Sequence, residues 1–294
     1  MAMTGDESAT APEGYATASE GEARLRQALE AQATYMQDVT AAVAPLEEGW
    51  RTARAFFADG EAIEQFLAFE RALNKGTDLK SAGAFLMSDY GYILAGAVVP
   101  LFVGFGLLPD LAPGKIALSF YTAQDEHEGT LHAVRRAHVR YLTADFVEGG
   151  LEDADHLERF RRQAEAHFAP VVEAVFAQTG LSRAALWRLA ADALAGRFLD
   201  AGRHFGRADA AMEAAMRILK QPRSPFNNRQ LHYFTLTVLD ADRKPFSHVF
   251  RARGGCCRYY RVEEGSLCPT CVLKPAEARD EDLRQKMRAH LGLS

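Results

Sequence analysis

The chain has 294 residues, of which 48% are hydrophobic and 25% are charged, and its formal net charge at pH 7 is -5. This is the composition of a soluble globular protein, long enough for one large domain or two ordinary ones. The modest negative charge argues against a general nucleic-acid-binding protein. Charge is unevenly spread, because Arg203 to Arg261 contains twelve basic and four acidic residues. This stretch is either a surface for an acidic partner or anionic ligand, or simply solvated.

The N-terminal segment 1–21 is rich in Ala, Ser, Thr, Gly and Glu. It lacks the basic start and the apolar centre of a secretory signal, and its composition predicts a disordered tail. A cytoplasmic location is therefore expected. Thiols stay reduced there, and clustered cysteines then favour a metal over disulfides.

Helices are predicted for most of the chain before residue 225. The first covers 22–43, where apolar residues recur at helical spacing. Helical patterns continue over 49–57 and 62–73, and the Asn-Lys-Gly sequence at 74–76 ends the last of these with a turn.

The run from Tyr90 to Pro109 has twenty residues and no charge. That length is enough to span a bilayer, and Pro100 does not exclude a span. The flanking Asp89 and Asp110 give no positive-inside signal. We interpret the run as a buried core helix and turn, with peripheral contact with the inner membrane as the alternative.

The second half of the chain combines helices with a few strands. Alternating apolar residues predict the strands, and Ser182 and Gly180 mark a helix start and a helix end. Residues 131–142 fit either a strand returning beside 115–121 or a helix. The predicted ranges are 151–178, 182–199 and 208–219 for helices, 115–121, 231–239 and 246–251 for strands, and 282–291 for a terminal helix.

These elements predict an α+β fold that is mostly helical. Three parts are expected: the tail 1–21, a helical body over 22–225, and a C-terminal part over 226–294. The last part contains the strands, a loop-rich segment at 251–274 and the terminal helix. The glycine fingerprints of nicotinamide, flavin and nucleotide sites are not found in the sequence.

All the cysteines lie close together near the C-terminus: Cys256, Cys257, Cys268 and Cys271, in the pattern C-C-x10-C-x2-C. The spacing of the second pair is that of a tight ligand knuckle, which zinc and iron–sulfur proteins share. Four thiolates that converge suit either a zinc ion or an iron–sulfur cluster.

The adjacent pair is the unusual half of this pattern. Neighbouring side chains of a strand point to opposite faces, so both thiols reach one site only through a local twist, which Gly254 and Gly255 permit. Structural zinc usually uses ligands spaced by two to four residues. Spacing alone therefore favours a [2Fe–2S] cluster and leaves zinc, or redox-active or structural thiols, open.

Cations are expected beside these cysteines, because they would stabilise the more negative, reduced state of a cluster. Arg258, Arg261 and Lys274 are the best placed in the sequence.

The motif, with a basic and aromatic run after the first pair and Cys-x-Leu-Lys at its end, resembles the FhuF-type ferric siderophore reductases. The resemblance is specific over Arg251 to Lys274. It is looser upstream, where Leu181 to Trp187 and the run before Pro109 are similar to the family's helical body. It implies that the four cysteines ligate a [2Fe–2S] cluster.

The resemblance also implies a cytoplasmic enzyme that passes one electron to Fe(III) in an imported siderophore, typically a hydroxamate. Hydroxamate oxygens bind Fe(III) far more tightly than Fe(II), so reduction loosens the metal. A separate electron donor is expected: a ferredoxin, a flavodoxin or an NAD(P)H-dependent reductase. The alternatives are a zinc-stabilised protein that binds a ligand or partner without redox activity, and an iron–sulfur sensor or maturation factor.

Substrate-contacting residues are harder to predict, because electron transfer requires no acid or base. Trp187, Arg203 and Arg207 are candidates for lining a groove beside the cluster. For Trp187 the alternative is packing in the core, because it lies on an apolar helix face.

Overall fold

The structure is a computed structural model, which describes residues 18–36, 39–127 and 130–293. Of the predicted tail, residues 1–17 lie outside the described part of the chain. Residues 18–21 already belong to the first helix.

The described residues form eight α-helices and eight strands, which confirms an α+β fold that is mostly helical. The helices are α1 (Ala18–Tyr35), α2 (Ala53–Ala58), α3 (Gly60–Leu73), α4 (Leu79–Pro100), α5 (Ala154–Thr179), α6 (Arg183–His204), α7 (Ala208–Leu219) and α8 (Ala276–His290). The strands are β1 (Ala41–Val43), β2 (Arg51–Thr52), β3 (Leu107–Pro109), β4 (Ile116–His127), β5 (Thr130–Tyr141), β6 (Phe146–Glu148), β7 (His232–Leu239) and β8 (Pro245–Ala252).

The long apolar run is a buried core helix. The side chain of Asp78 caps α4 by accepting a hydrogen bond from the Ser81 N–H at 2.7 Å. The helix continues as a π-helical turn over 101–105 and ends at Gly106, whose φ of 69° is left-handed. Residues 79–105 are long and apolar enough to cross a membrane, yet 83% of their most apolar window is buried inside the protein. Packing against α3, α5 and α6 accounts for this apolar character.

Helices α4 and α6 pack closely together. A Cβ atom added to Gly91 of α4 would lie 3.0 Å from the Cβ of Ala193 in α6, so glycine permits this approach. The Ser182 side chain caps α6 by accepting a hydrogen bond from the Ala185 N–H at 3.3 Å. α6 is thereby fixed in the core, and it also contacts α7 and β8.

A four-stranded sheet, in the order β1-β5-β4-β2, packs beside the helices. β1 and β5 are parallel, whereas β4 is antiparallel to both β5 and β2. The segment 131–142, which the sequence left between strand and helix, is strand β5. The Tyr141 hydroxyl donates to the Ala97 carbonyl at 2.9 Å and so ties the sheet to α4. β3 and β6 form a separate antiparallel pair.

Two local predictions are wrong. The first helix ends at Tyr35, earlier than predicted, and 41–43 form β1 instead. The window 49–57 is helical only from Ala53 onward, because 51–52 form β2. In both places, pairing with a distant strand outweighs the local helical pattern.

The C-terminal hairpin of β7 and β8 packs against α8, which begins six residues before its predicted start. Leu236 and Val238 of the hairpin meet Leu283 and Met287 of α8 in a small hydrophobic cluster, separate from the main core. This packing fixes both ends of the cysteine segment, residues 253–273, which lies between β8 and α8. The predicted boundary at 225/226 stays a prediction.

Helices α3 and α4 bring two buried carboxyl groups together. Glu70 is only 4% exposed, and it is hydrogen-bonded to Asp89. Burial raises the pKa of Glu70 to about 8, and the charge of Asp89 adds to the rise. Burial also raises the pKa of Asp89 to about 7, opposed by Arg136 and Arg135.

The carboxyl pair predicts that stability falls as pH rises from about 5 to about 8. The unfolded chain loses these protons near pH 4, while the folded pair keeps them to higher pH, so the folded state binds more protons in this window. Glu70→Gln should make the fall shallower by up to about 1.4 kcal/mol per pH unit, the contribution of one proton. Urea unfolding at several pH values, followed by circular dichroism, measures it. An unchanged slope in Glu70→Gln, or an equal change in the exposed control Glu61→Gln, would contradict this account.

Candidate iron–sulfur site

The four cysteines of the cysteine segment are free thiols. Cys256, Cys257 and Cys268 are half-buried, and Cys271 is buried. The segment leaves β8 at Ala252 and has little regular structure of its own. Its position is therefore set by contacts with the helical body.

The local twist after the adjacent pair lies at Arg258, whose φ is 63°, and not at the two glycines expected to supply it. Gly254 and Gly255 are needed for space instead. A Cβ atom on Gly255 would lie 3.0 Å from the backbone nitrogen of Leu189 in α6. One on Gly254 would lie 2.2 Å from the Oδ1 atom of Asn228. The chain before the cysteines thus rests directly on neighbouring backbone and side-chain atoms.

Each cysteine sulfur has an N–H donor. Such donors stabilise the thiolate form and tune iron–sulfur sites. Three donors are backbone N–H groups: that of Arg258 donates to Cys256 at 3.4 Å, that of Tyr259 donates to Cys257, and that of Leu273 donates to Cys271 at 3.5 Å. The fourth donor is a side chain, because Nη1 of Arg253 donates to Cys268 at 3.6 Å.

One cysteine of the adjacent pair contacts one of the C-x2-C knuckle. The Cys268 thiol donates to Cys257 and, with help from Arg253, lowers the pKa of Cys257 to about 5. The pKa of Cys268 is raised for the same reason. Burial raises the pKa of Cys256. The lowered pKa of Cys257 favours its thiolate, which is the form that binds metals.

The donor set fits a binuclear cluster. A [2Fe–2S] cluster takes four thiolates, two for each iron, and the segment supplies four, each with an N–H donor. Within the described residues, no three His, Cys, Asp or Glu side chains are grouped so as to hold one metal ion. The four thiols therefore match the number of ligands that a binuclear cluster needs.

A buried carboxylate that the sequence analysis missed holds the segment in place. Asp192 of α6 is 1% exposed. Its Oδ1 accepts from the Gly254 N–H at 2.7 Å, and its Oδ2 accepts from the Gly255 N–H at 2.9 Å and from Arg253 Nε at 3.3 Å. The contacts run without a break from α6 through Asp192 and Arg253 to Cys268. The signal in the sequence is a charged residue inside an apolar helix face, which needs a buried partner.

Arg253 is the cation at the sulfurs. Burial opposes its charge, but the negative charges of Asp192, Cys257 and Cys268 prevail and raise the pKa of its guanidinium group. Arg253 therefore stays protonated beside two of the cysteines.

The three cations predicted beside the site make their charge contacts with carboxylates instead. Arg258 pairs with Asp78 at 2.8 Å, and Arg261 lies 3.7 Å from the same carboxylate. Lys274 pairs with Asp282 of α8 at 2.5 Å. A carboxylate attracts each cation more strongly than a partly shielded sulfur does. Arg258 and Arg261 therefore anchor the segment to the start of α4, and Lys274 anchors it to α8. Only the backbone N–H of Arg258 reaches a sulfur.

The three substrate candidates lie elsewhere on α6 or just beyond it. Trp187 packs edge-on against Phe226, with ring centres 5.1 Å apart, in agreement with its core alternative. Arg203 bonds to β8, through His248 at 3.1 Å and through the Val249 carbonyl. Arg207 donates to the Val103 carbonyl at 2.9 Å, in the π-helical turn. These hydrogen bonds join parts of the body and do not form a groove at the cysteines.

A cavity of about 730 Å³ opens between the cysteine segment and α8. Cys268 and Pro269 form part of its wall, and Lys274, Gln285 and Lys286 line it from the other side. The sequence analysis missed this cavity, because it arises only where α8 folds back beside the segment.

Residues 253–273 match the model of the FhuF 2Fe-2S C-terminal domain. No curated protein and no solved structure gives a match. The matched residues coincide with the cysteine segment, which confirms the family resemblance and the [2Fe–2S] cofactor predicted from the motif. The chain is therefore an iron–sulfur protein that carries a domain of the FhuF 2Fe-2S type at residues 253–273.

Proposed function

We propose that this protein is a ferric siderophore reductase, in which the four cysteines hold a [2Fe–2S] cluster and the Fe(III) of a siderophore receives one electron. The observation that supports this best is a segment of the FhuF 2Fe-2S type with four free thiols and an N–H donor at each sulfur. Such a cluster supplies a one-electron carrier when bound.

The protein's own residues manage charge and access at this site. Arg253 and the backbone N–H groups offset the negative charge of the sulfurs, which favours the more negative, reduced state. Asp192 holds Arg253 and the segment on α6. Because Cys256, Cys257 and Cys268 are only half-buried, a chelate can approach closely from solvent.

The electron is proposed to come from a separate cytoplasmic protein: a ferredoxin, a flavodoxin or an NAD(P)H-dependent reductase. The absence of nicotinamide and flavin glycine fingerprints from the sequence supports an external donor. Reduction of Fe(III) to Fe(II) then weakens its bonds to the hard chelator oxygens. Fe(II) leaves, and the chelator is free for reuse.

The test is oxidation of the reduced protein by a ferric trihydroxamate. Anaerobically purified protein should be coloured, contain iron and acid-labile sulfide, and give a paramagnetic signal after dithionite. We expect the ferric chelate to reoxidise it stoichiometrically, with Fe(II) appearing on a ferrous-specific chromogenic chelator. A reduced protein that hexacyanoferrate(III) oxidises but a ferric trihydroxamate does not would contradict the proposal.

The zinc-stabilised binding protein finds no support, because the matched domain is of the 2Fe-2S type. Metal analysis decides the point: a colourless protein that contains zinc and no iron would restore that alternative.

A further inference from the structure

We propose that the cavity between the cysteine segment and α8 is the binding site for the ferric chelate. This inference rests on the proposed function and adds a location to it.

The position of the cavity suits electron transfer, which weakens steeply with distance. Of the four cysteines, Cys268 lines the cavity, together with Pro269 of the same knuckle. A chelate in the cavity therefore touches a residue that holds the cluster. The volume of about 730 Å³ is within the roughly 300–1,000 Å³ of pockets that enclose drug-sized ligands.

One face of α8 forms the far wall. Asp282, Gln285, Lys286 and Ala289 line the cavity, and their spacing places them on the same side of a helix. The opposite side of α8 packs on the hairpin. α8 thus has two roles: its apolar side fixes the helix, and its polar side faces the cavity.

The other wall is apolar and partly open. Tyr259 is 41% exposed and Leu267 is 37% exposed, and both line the cavity beside Cys268. Large apolar side chains that stay exposed around a concave site are typical of ligand-binding surfaces. They suit the hydrocarbon and amide shell of a siderophore.

Polar groups of the wall can bind the chelate. Lys274 and Asp282 pair with each other at 2.5 Å, and the lining residues Lys286 and Gln285 can donate hydrogen bonds to the oxygens of the chelate.

The step balances. One electron converts the neutral Fe(III) trihydroxamate to an Fe(II) complex of charge −1. The hydroxamates then take protons from water as Fe(II) leaves.

Binding can be measured without electron transfer by using Ga(III), which has the charge of Fe(III) but is not reduced. The holoprotein is titrated calorimetrically with Ga(III) trihydroxamate. Ala289→Trp fills the cavity from an exposed helix position and should raise Kd at least about tenfold. Ala278→Trp makes the same change about 16 Å earlier on α8, outside the cavity, and should bind as wild type does. Lys286→Gln should raise Kd by about threefold.

The outcomes separate this inference from the proposed function. Equal Kd values for Ala289→Trp, Ala278→Trp and wild type would overturn the cavity as the site, and so would a wild-type protein that binds no gallium chelate. If the gallium chelate binds as expected but the ferric chelate is not reduced, the cavity is supported as the binding site and the proposed reductase activity is contradicted. An unchanged cluster spectrum in both Trp variants shows that the site is intact.

Discussion

Cys257→Ser is expected to abolish the visible absorption of the [2Fe–2S] cluster. Cys257 contacts Cys268 across the two halves of the segment, and it is the thiol whose pKa is lowered, to about 5. Serine is a far weaker acid and a harder ligand, so it replaces neither the thiolate nor its affinity for iron. Iron, acid-labile sulfide and the visible spectrum should all fall to near background. The same result is expected for serine at 256, 268 and 271.

The helical signal separates loss of ligand from loss of fold. The cysteine segment has little regular structure, and the main core consists mostly of residues outside it, so far-ultraviolet circular dichroism should stay close to that of wild type. Ser266→Ala, between the two cysteine pairs, is the control and should keep full iron content. If Cys256→Ser and Cys257→Ser both retained the wild-type spectrum, the adjacent pair would not be ligating iron.

Asp192→Asn is expected to cause the largest loss among residues that do not touch iron. The substitution leaves the Arg253 charge buried without its partner, and it turns one acceptor of a glycine N–H into an NH2 group. Removing one member of a buried ion pair costs about 3–5 kcal/mol. Urea unfolding of the apoprotein measures this loss, and iron content after reconstitution measures its effect on the site.

Two comparisons make the Asp192 result specific. Asp200→Asn changes the same residue type further along α6, at a side chain that is 50% exposed and 3.8 Å from Arg197, and should cost less than about 1 kcal/mol. In the Arg253→Met variant, Asp192→Asn should lower the free energy of unfolding clearly less than it does in the wild-type protein, because no buried cation is left unpaired. Strictly additive losses would show that the two side chains are not coupled.

Much of the fold and the site could be predicted because the signals are local. The adjacent cysteines and the C-x2-C knuckle lie within one short segment, and the long helices carry their own caps and apolar stripes, as at Ser182. Features that depend on distant contacts could not be predicted this way. Strand β1 exists because β5 lies beside it, and no pattern within 41–43 distinguishes it from the end of a helix.

The same reason explains where the structure places the predicted cations. Arg258 and Lys274 are close to the cysteines in sequence, but Asp78 and Asp282 attract their charges. The role of Arg253 depends on Asp192, a residue 61 positions away, so the local sequence does not indicate it. Sequence proximity therefore indicates the four cysteines as the predicted ligands, whereas the partners of the charged residues depend on three-dimensional packing.

The Asp192 anchor also bears on how the protein acquires its cluster. Its hydrogen bonds to Gly254, Gly255 and Arg253 join protein atoms only. Docking of the cysteine segment therefore does not depend on the free energy of metal binding. A zinc finger differs in this respect, because it is unfolded until it binds its metal. The cysteine segment can therefore already be docked on α6 when the cluster is inserted.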